Sequence, residues 1–187
     1  GIYVPSVSPA SLYLHRLTMM AAAASATTTT AQNSRFFLAD YLLYYPFIDT
    51  DAVGEQQDMV NTATIPRYTS GRVIAVGQSA SSTLGQFTFS YTNQDGVAGR
   101  TSQNHFTFVV AGGGQVVASS VQSAASFHPY LALQAGDSGV KSIESVTFTA
   151  GGGGLMALVI VQPLLECFVT QESRRTTSGN LETYGAC

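Results

Sequence analysis

From residue 67 onward, apolar side chains recur at every second position, a period that fits a strand and not a helix. Over 86–92, Phe87, Phe89 and Tyr91 fall on one face and Thr88, Ser90 and Thr92 on the other, the pattern of a half-buried strand. The run 93–96, Asn-Gln-Asp-Gly, reads as the turn that follows. The alternation resumes over 105–111, which predicts Phe106, Phe108 and Val110 facing inward. A Gly112-Gly113-Gly114 turn then leads into a strand over 115–121. The segment 142–149 repeats the pattern with Val146 and Phe148 on one face. Glycines 151–154 lead into Leu155–Val161, which is apolar on both faces and so predicts a central strand. With 72–76 and 130–133 added, about seven short strands separated by turns predict a mainly β fold. The architecture expected is an antiparallel β-sandwich, jelly-roll-like.

The chain before residue 67 reads differently. Over 34–45, Phe37, Leu38, Tyr41, Leu42 and Tyr45 recur at three- and four-residue spacing, with Ser34 placed to cap and Pro46 to terminate. This predicts one short helix, apolar nearly all round and therefore buried in the core or against another chain. Phe36, Phe37, Tyr41, Tyr44 and Tyr45 are its candidate interface residues, since clustered aromatics mark cores and contacts. Pro5 and Pro9, a short helical stretch over 11–20 and the Ala- and Thr-rich run 21–30 make 1–33 an extended N-terminal arm. The organisation expected is an arm over 1–33, a helix and acidic connecting loop over 34–66, a sandwich over 67–170 and a polar C-terminal tail over 171–187.

Composition narrows the function. Charged residues are 10% of the 187 residues, against about 25% in ordinary soluble domains. Ser, Thr, Asn, Gln, Ala and 18 glycines take their place. So neutral a surface suits a chain shielded by neighbouring molecules better than a free monomer. The net charge is −3, Lys141 is the only lysine, and no basic stripe exists, so nucleic acid is not expected as the primary partner. The longest strand-like apolar run, 155–161, falls far short of a bilayer span, so no membrane partner is expected. Cys167 and Cys187 both lie near the C-terminal end without metal-ligand spacing, and two free thiols are the default reading.

Three patterns imitate chemistry. Gly136-Asp137-Ser138-Gly139 is similar to the nucleophile segment of chymotrypsin-like serine proteases, which also needs a His and an Asp upstream. His105 and His128 lie too close before Ser138 to leave room for such a barrel, and His15 falls in the arm. A turn between strands is the preferred reading, with Asp137 and Ser138 bonding their own backbone. Asp49, Asp51, Glu55 and Asp58 imitate the start of a calcium loop, but Val53 and Val60 stand where ligands are required. The glycine runs lack the Lys-Ser/Thr of a phosphate loop. No catalytic residue, no metal site and no cofactor is therefore expected.

Two segments carry a family resemblance. One is Phe89-Ser-Tyr-Thr-Asn-Gln-Asp-Gly-Val-Ala-Gly-Arg-Thr-Ser102. The other is Leu133-Gln-Ala-Gly-Asp-Ser-Gly-Val-Lys-Ser-Ile-Glu-Ser-Val-Thr-Phe148, with Leu155-Met-Ala-Leu-Val-Ile-Val-Gln-Pro-Leu164 after a glycine turn. Over about residues 65–165 the chain resembles structural proteins of tailed bacteriophages. The resemblance implies a non-enzymatic virion component, assembled in the host cytoplasm, whose partners are copies of itself and other virion proteins. A capsid-associated decoration or cement role is expected first, then a neck, tail or fibre role. A host-glycan-binding module is the alternative from a different class.

Overall fold

The computed structural model describes residues 34–119, 129–169, 174–175 and 181–182. The arm over 1–33, His15, His128 and Cys187 lie outside the described residues, as do most of 171–187. The described chain is all β, and among the described residues there is no helix. Two compact units divide it, one of Phe37–Leu165 and one of Gly1–Phe36 with Glu166–Cys187.

The larger unit is a sandwich of two sheets. In the first, β9 (Leu155–Val169) lies between β1 (Ser34–Asp49) and β3 (Arg72–Gly77). In the second, the order is β2 (Gln56–Asp58), β8 (Val140–Ala150), β4 (Gln86–Asn93), β6 (His105–Thr107) and β7 (Ala118–Ser119). The short β5 (Arg100–Thr101) also pairs with β4. In the smaller unit β10 (Arg174–Arg175) pairs antiparallel with β11 (Leu181–Glu182).

The alternating strands behave as their sequence demands. Phe87, Phe89 and Tyr91 of β4 are fully buried, while Thr88, Ser90 and Thr92 are half-buried on the other face. They meet Phe148, Val146 and Ile143 of β8 across an antiparallel ladder, and the Phe87 and Phe148 rings stack at 5.1 Å. The first sheet supplies the opposing wall, with Val73 and Ala75 of β3 and Met156, Leu158 and Ile160 of β9. Both faces of β9 are buried over Met156–Val161, as an all-apolar central strand requires. The layers join at one side, where Val117 N–H donates to the Ala75 carbonyl at 2.9 Å and Val76 bridges Val116.

Three expectations are corrected. The segment 34–45 is not a helix but part of β1. Its buried residues are Leu42, Tyr45 and Ile48, three apart, which a helix would also produce. The strand is also irregular past Tyr45, where Phe47 stands at φ 60° directly after Pro46. A proline that would end a helix is tolerated in an edge strand, whose outer side needs no ladder donor. The facing of 105–111 is also inverted at its start. His105 and Thr107 are buried, and Phe106 and Phe108 are only half-buried. Pairing of Phe87 with His105 forces both side chains onto the core face, whatever their hydropathy. Finally, 130–133 forms no strand, although Leu131 and Leu133 still enter the core.

Candidate interaction surface

Among the described residues, the outward face of β1 carries the largest exposed aromatic group. Tyr41 is 54% exposed, Tyr44 38% and Phe47 74%. They alternate with the buried Leu42, Tyr45 and Ile48, so one strand feeds the core and lays a row of rings on the surface. The Tyr41 and Tyr44 rings are 6.2 Å apart. Gln78 holds the far end of the row: its amide nitrogen donates to the Tyr44 hydroxyl at 2.9 Å, and its oxygen accepts from Phe47 N–H at 2.6 Å.

The outer edge of β1 is closed by side chains from β2 and the segment that follows it. That segment keeps backbone bonds to β8, from Met59 N–H to Glu144 and from Ile65 N–H to Lys141. Toward β1, β2 and this segment extend side chains instead. Gln57 accepts from Asp49 N–H at 2.8 Å and donates to the Asp49 carbonyl at 2.7 Å, copying a ladder pair. Arg67 donates to the Tyr41 carbonyl at 3.0 Å and forms a two-pronged pair with the Asp40 carboxylate, which also accepts from the Tyr68 hydroxyl at 3.2 Å. The Arg67 guanidinium lowers the Asp40 pKa, and Asp40 in turn raises that of Arg67. An edge strand capped this way cannot add a further strand without first losing these bonds. Beside it, Pro46, Phe47, Met59, Val60 and Asn61 border an open groove of about 540 Å³.

The five sequence-predicted interface residues therefore divide. Tyr41 and Tyr44 are on this surface. Phe37 is half-buried and packs edge-on against Tyr130 at 5.7 Å. Tyr45 belongs to the core, where its hydroxyl accepts from Ile143 N–H of the opposite sheet at 3.0 Å. The Phe36 side chain lies outside the described residues. Phe47 and Tyr68, which the sequence did not single out, complete the surface. Both are aromatic residues at positive φ, 60° and 66°, and no sequence pattern announces that.

The protease-like turn serves a polar network. The Asp137 side chain is 4% exposed and accepts from Arg100 Nε at 2.9 Å, the Tyr91 hydroxyl at 2.5 Å and Asn93 Nδ2 at 2.9 Å. Arg100, then Tyr91 and Asn93, hold its pKa down to about 2. Burial, helped by the anionic partner, pushes Tyr91 up to about 12. Ser138 and Gly139 N–H both donate to the Gln94 side-chain oxygen, at 3.0 and 3.3 Å. Ser138 is exposed, and among the described residues no histidine is bonded to it. The side-chain partners of Asp137 thus come from two distant strands, β4 and β5, rather than from its own backbone as the turn reading expected.

His105 is fully buried, its ring 5.4 Å from Phe87 and 5.6 Å from Phe89. Neither ring nitrogen makes a hydrogen bond. The nearby Ala132 carbonyl favours the protonated ring slightly, but it lies outside bonding geometry and already accepts from Gln103 N–H at 3.2 Å. Burial therefore dominates and lowers the pKa from 6.5 to about 4. A histidine depressed in the folded state binds fewer protons there than when unfolded, so stability falls as pH drops from about 6.5 to about 4. The loss expected from this group is about 3 kcal/mol. Urea titrations at pH 7 and pH 4 should show it, and His105→Leu should flatten the difference; an equally steep fall in the variant would move the acid sensitivity elsewhere. Asp137 adds to the loss only below its unfolded pKa, as pH falls toward 2.

Three of the four acidic residues over 49–58 are engaged by protein groups. Asp49 accepts from Asp51 N–H, Asp51 from Gly153 N–H and Asp58 from Gln56. Among the described residues no three His, Cys, Asp or Glu side chains gather as a metal set. Comparison with family models, with curated proteins and with solved structures finds no match.

Proposed function

We propose that this chain is a structural component of a tailed-bacteriophage virion, acting without catalysis as a capsid-associated decoration or cement protein. Its place would be the particle, and its partners other virion proteins and copies of itself. The observation that carries the reading is the exposed row Tyr41, Tyr44 and Phe47 on a chain that is only 10% charged. Contiguous exposed rings on a neutral body mark a contact surface, because water solvates them poorly. The string resemblance over about 65–165 supplies the particle as the setting. Mechanically, a rigid sandwich would span neighbouring subunits and add contacts that must break before the shell opens. Neck, tail and fibre positions use the same physics.

Particles assembled with and without the chain test this reading. Shells lacking it are expected to lose integrity at a lower temperature, and adding the purified chain back should restore the melting curve. Identical melting curves would remove the cement role. A host-glycan-binding module is the second reading, favoured by the same rings because sugars stack on exposed aromatics. Binding on a glycan array that disappears with Tyr41→Ala would select it instead.

A further inference from the structure

We propose that the β1 surface is a two-fold contact between two copies of this chain, with Phe47 of each copy seated in the groove beside Pro46 of the other. The inference rests on the assembly reading above and names the surface that serves it. A two-fold contact must be self-complementary, since the same patch stands on both sides. This patch holds both halves of such a contact. Phe47 projects, 74% exposed, and the groove of about 540 Å³ bordered by Pro46, Met59 and Val60 lies directly beside it. Val60 on that rim is 99% exposed.

Charge points the same way. Asp40 and Arg67 stand side by side at the Tyr41 end of the row. With the two-fold axis passing between them, Asp40 of one copy faces Arg67 of the other, so neither meets its like. An anionic ligand or membrane would meet Asp40 as well as Arg67 and gain nothing from the pair. Area is adequate too. Tyr41, Tyr44, Phe47 and Tyr68 together expose roughly 400 Å² of ring surface. That is about half of the ~800 Å² each partner covers in a stable pair, before Val60 and the polar rim are added.

The test is sedimentation equilibrium of the full-length chain from micromolar to millimolar concentration, beside Phe47→Asn. Asparagine accepts the positive φ of this position better than phenylalanine, so the variant should keep its fold, which thermal melting checks. The wild-type chain should form a dimer, and Phe47→Asn should weaken it roughly 30-fold or more. Arg67→Glu and Asp40→Lys should each fail to pair with themselves and pair with one another on mixing, an outcome that a merely structural role would not produce. A wild-type monomer throughout the range overturns the proposal, as does self-association that Phe47→Asn leaves unchanged, or an odd-numbered assembly that depends on Phe47. So does occupation of the rings by an oligosaccharide added to a monomeric chain. None of these results touches the melting of the particles, so failure of the two-fold contact and failure of the cement reading remain distinguishable.

Discussion

Tyr45→Ala is expected to be the most destabilising single truncation on β1, costing about 3–5 kcal/mol. The side chain is 1% exposed and reaches from the first sheet to the second. Two losses combine. The ring leaves a cavity among packed neighbours, because interiors collapse only partly around a deletion. The Ile143 N–H also loses the hydroxyl that accepts from it at 3.0 Å inside the core. Burial raises the Tyr45 pKa, opposed by that same N–H, so the hydroxyl stays neutral across the ordinary range. Tyr45→Phe separates the two effects: it keeps the packing and removes only the bond, at about 1–3 kcal/mol. Chemical denaturation of the three proteins reads the difference directly. Near-equal stability of Tyr45→Ala and the parent would mean that β1 does not close this core. Tyr41→Ala, on an exposed ring of the same strand, should change stability by less than about 1 kcal/mol.

Gly154→Ala is expected to cost about 3 kcal/mol or more, from one added methyl group. Gly154 sits at φ 117°, where side-chain-bearing residues are strained. A Cβ there would lie 2.4 Å from the Ala80 carbonyl oxygen and 2.7 Å from the Ser79 hydroxyl. That hydroxyl accepts from Leu155 N–H at 2.8 Å, so it cannot withdraw freely. The Gly154 carbonyl also receives Thr50 N–H at 3.1 Å and the Thr50 hydroxyl at 2.9 Å, tying the turn to the end of β1. Any shift made to admit the methyl group therefore disturbs the β8–β9 turn and β1 together. Gly112→Ala is the control: its φ is not positive and a Cβ there meets nothing within 4 Å. Thermal melts should show a clear drop for Gly154→Ala and almost none for Gly112→Ala. Equal melts would mean that the turn relaxes at no cost.

Much of the fold was legible where burial and hydropathy agree. Phe87, Phe89, Tyr91, Val146 and Phe148 fall where their alternation puts them, and 155–161 is the central strand that its double-faced apolarity predicts. The turns at 93–96 and 151–154 were legible from their glycines, because positive φ leaves few other choices. Legibility failed where a neighbour overruled the local pattern. His105 faces the core because Phe87 opposite it does, so its hydropathy misled. On the candidate surface, Tyr41 and Tyr44 were found among the clustered aromatics, whereas Phe47 and Tyr68 lay outside any periodic run.

The amino-acid order alone determined that this chain builds antiparallel sheets and carries little charge on its surface, because alternation and composition act within a few residues of chain. Only the tertiary structure decided which aromatics of β1 are core and which are surface, and which groups satisfy Asp137. Those outcomes depend on partners such as Ile143, Gln78 and Arg100, brought from far along the chain. No short window of sequence contains both members of such a pair, and so none could state the result.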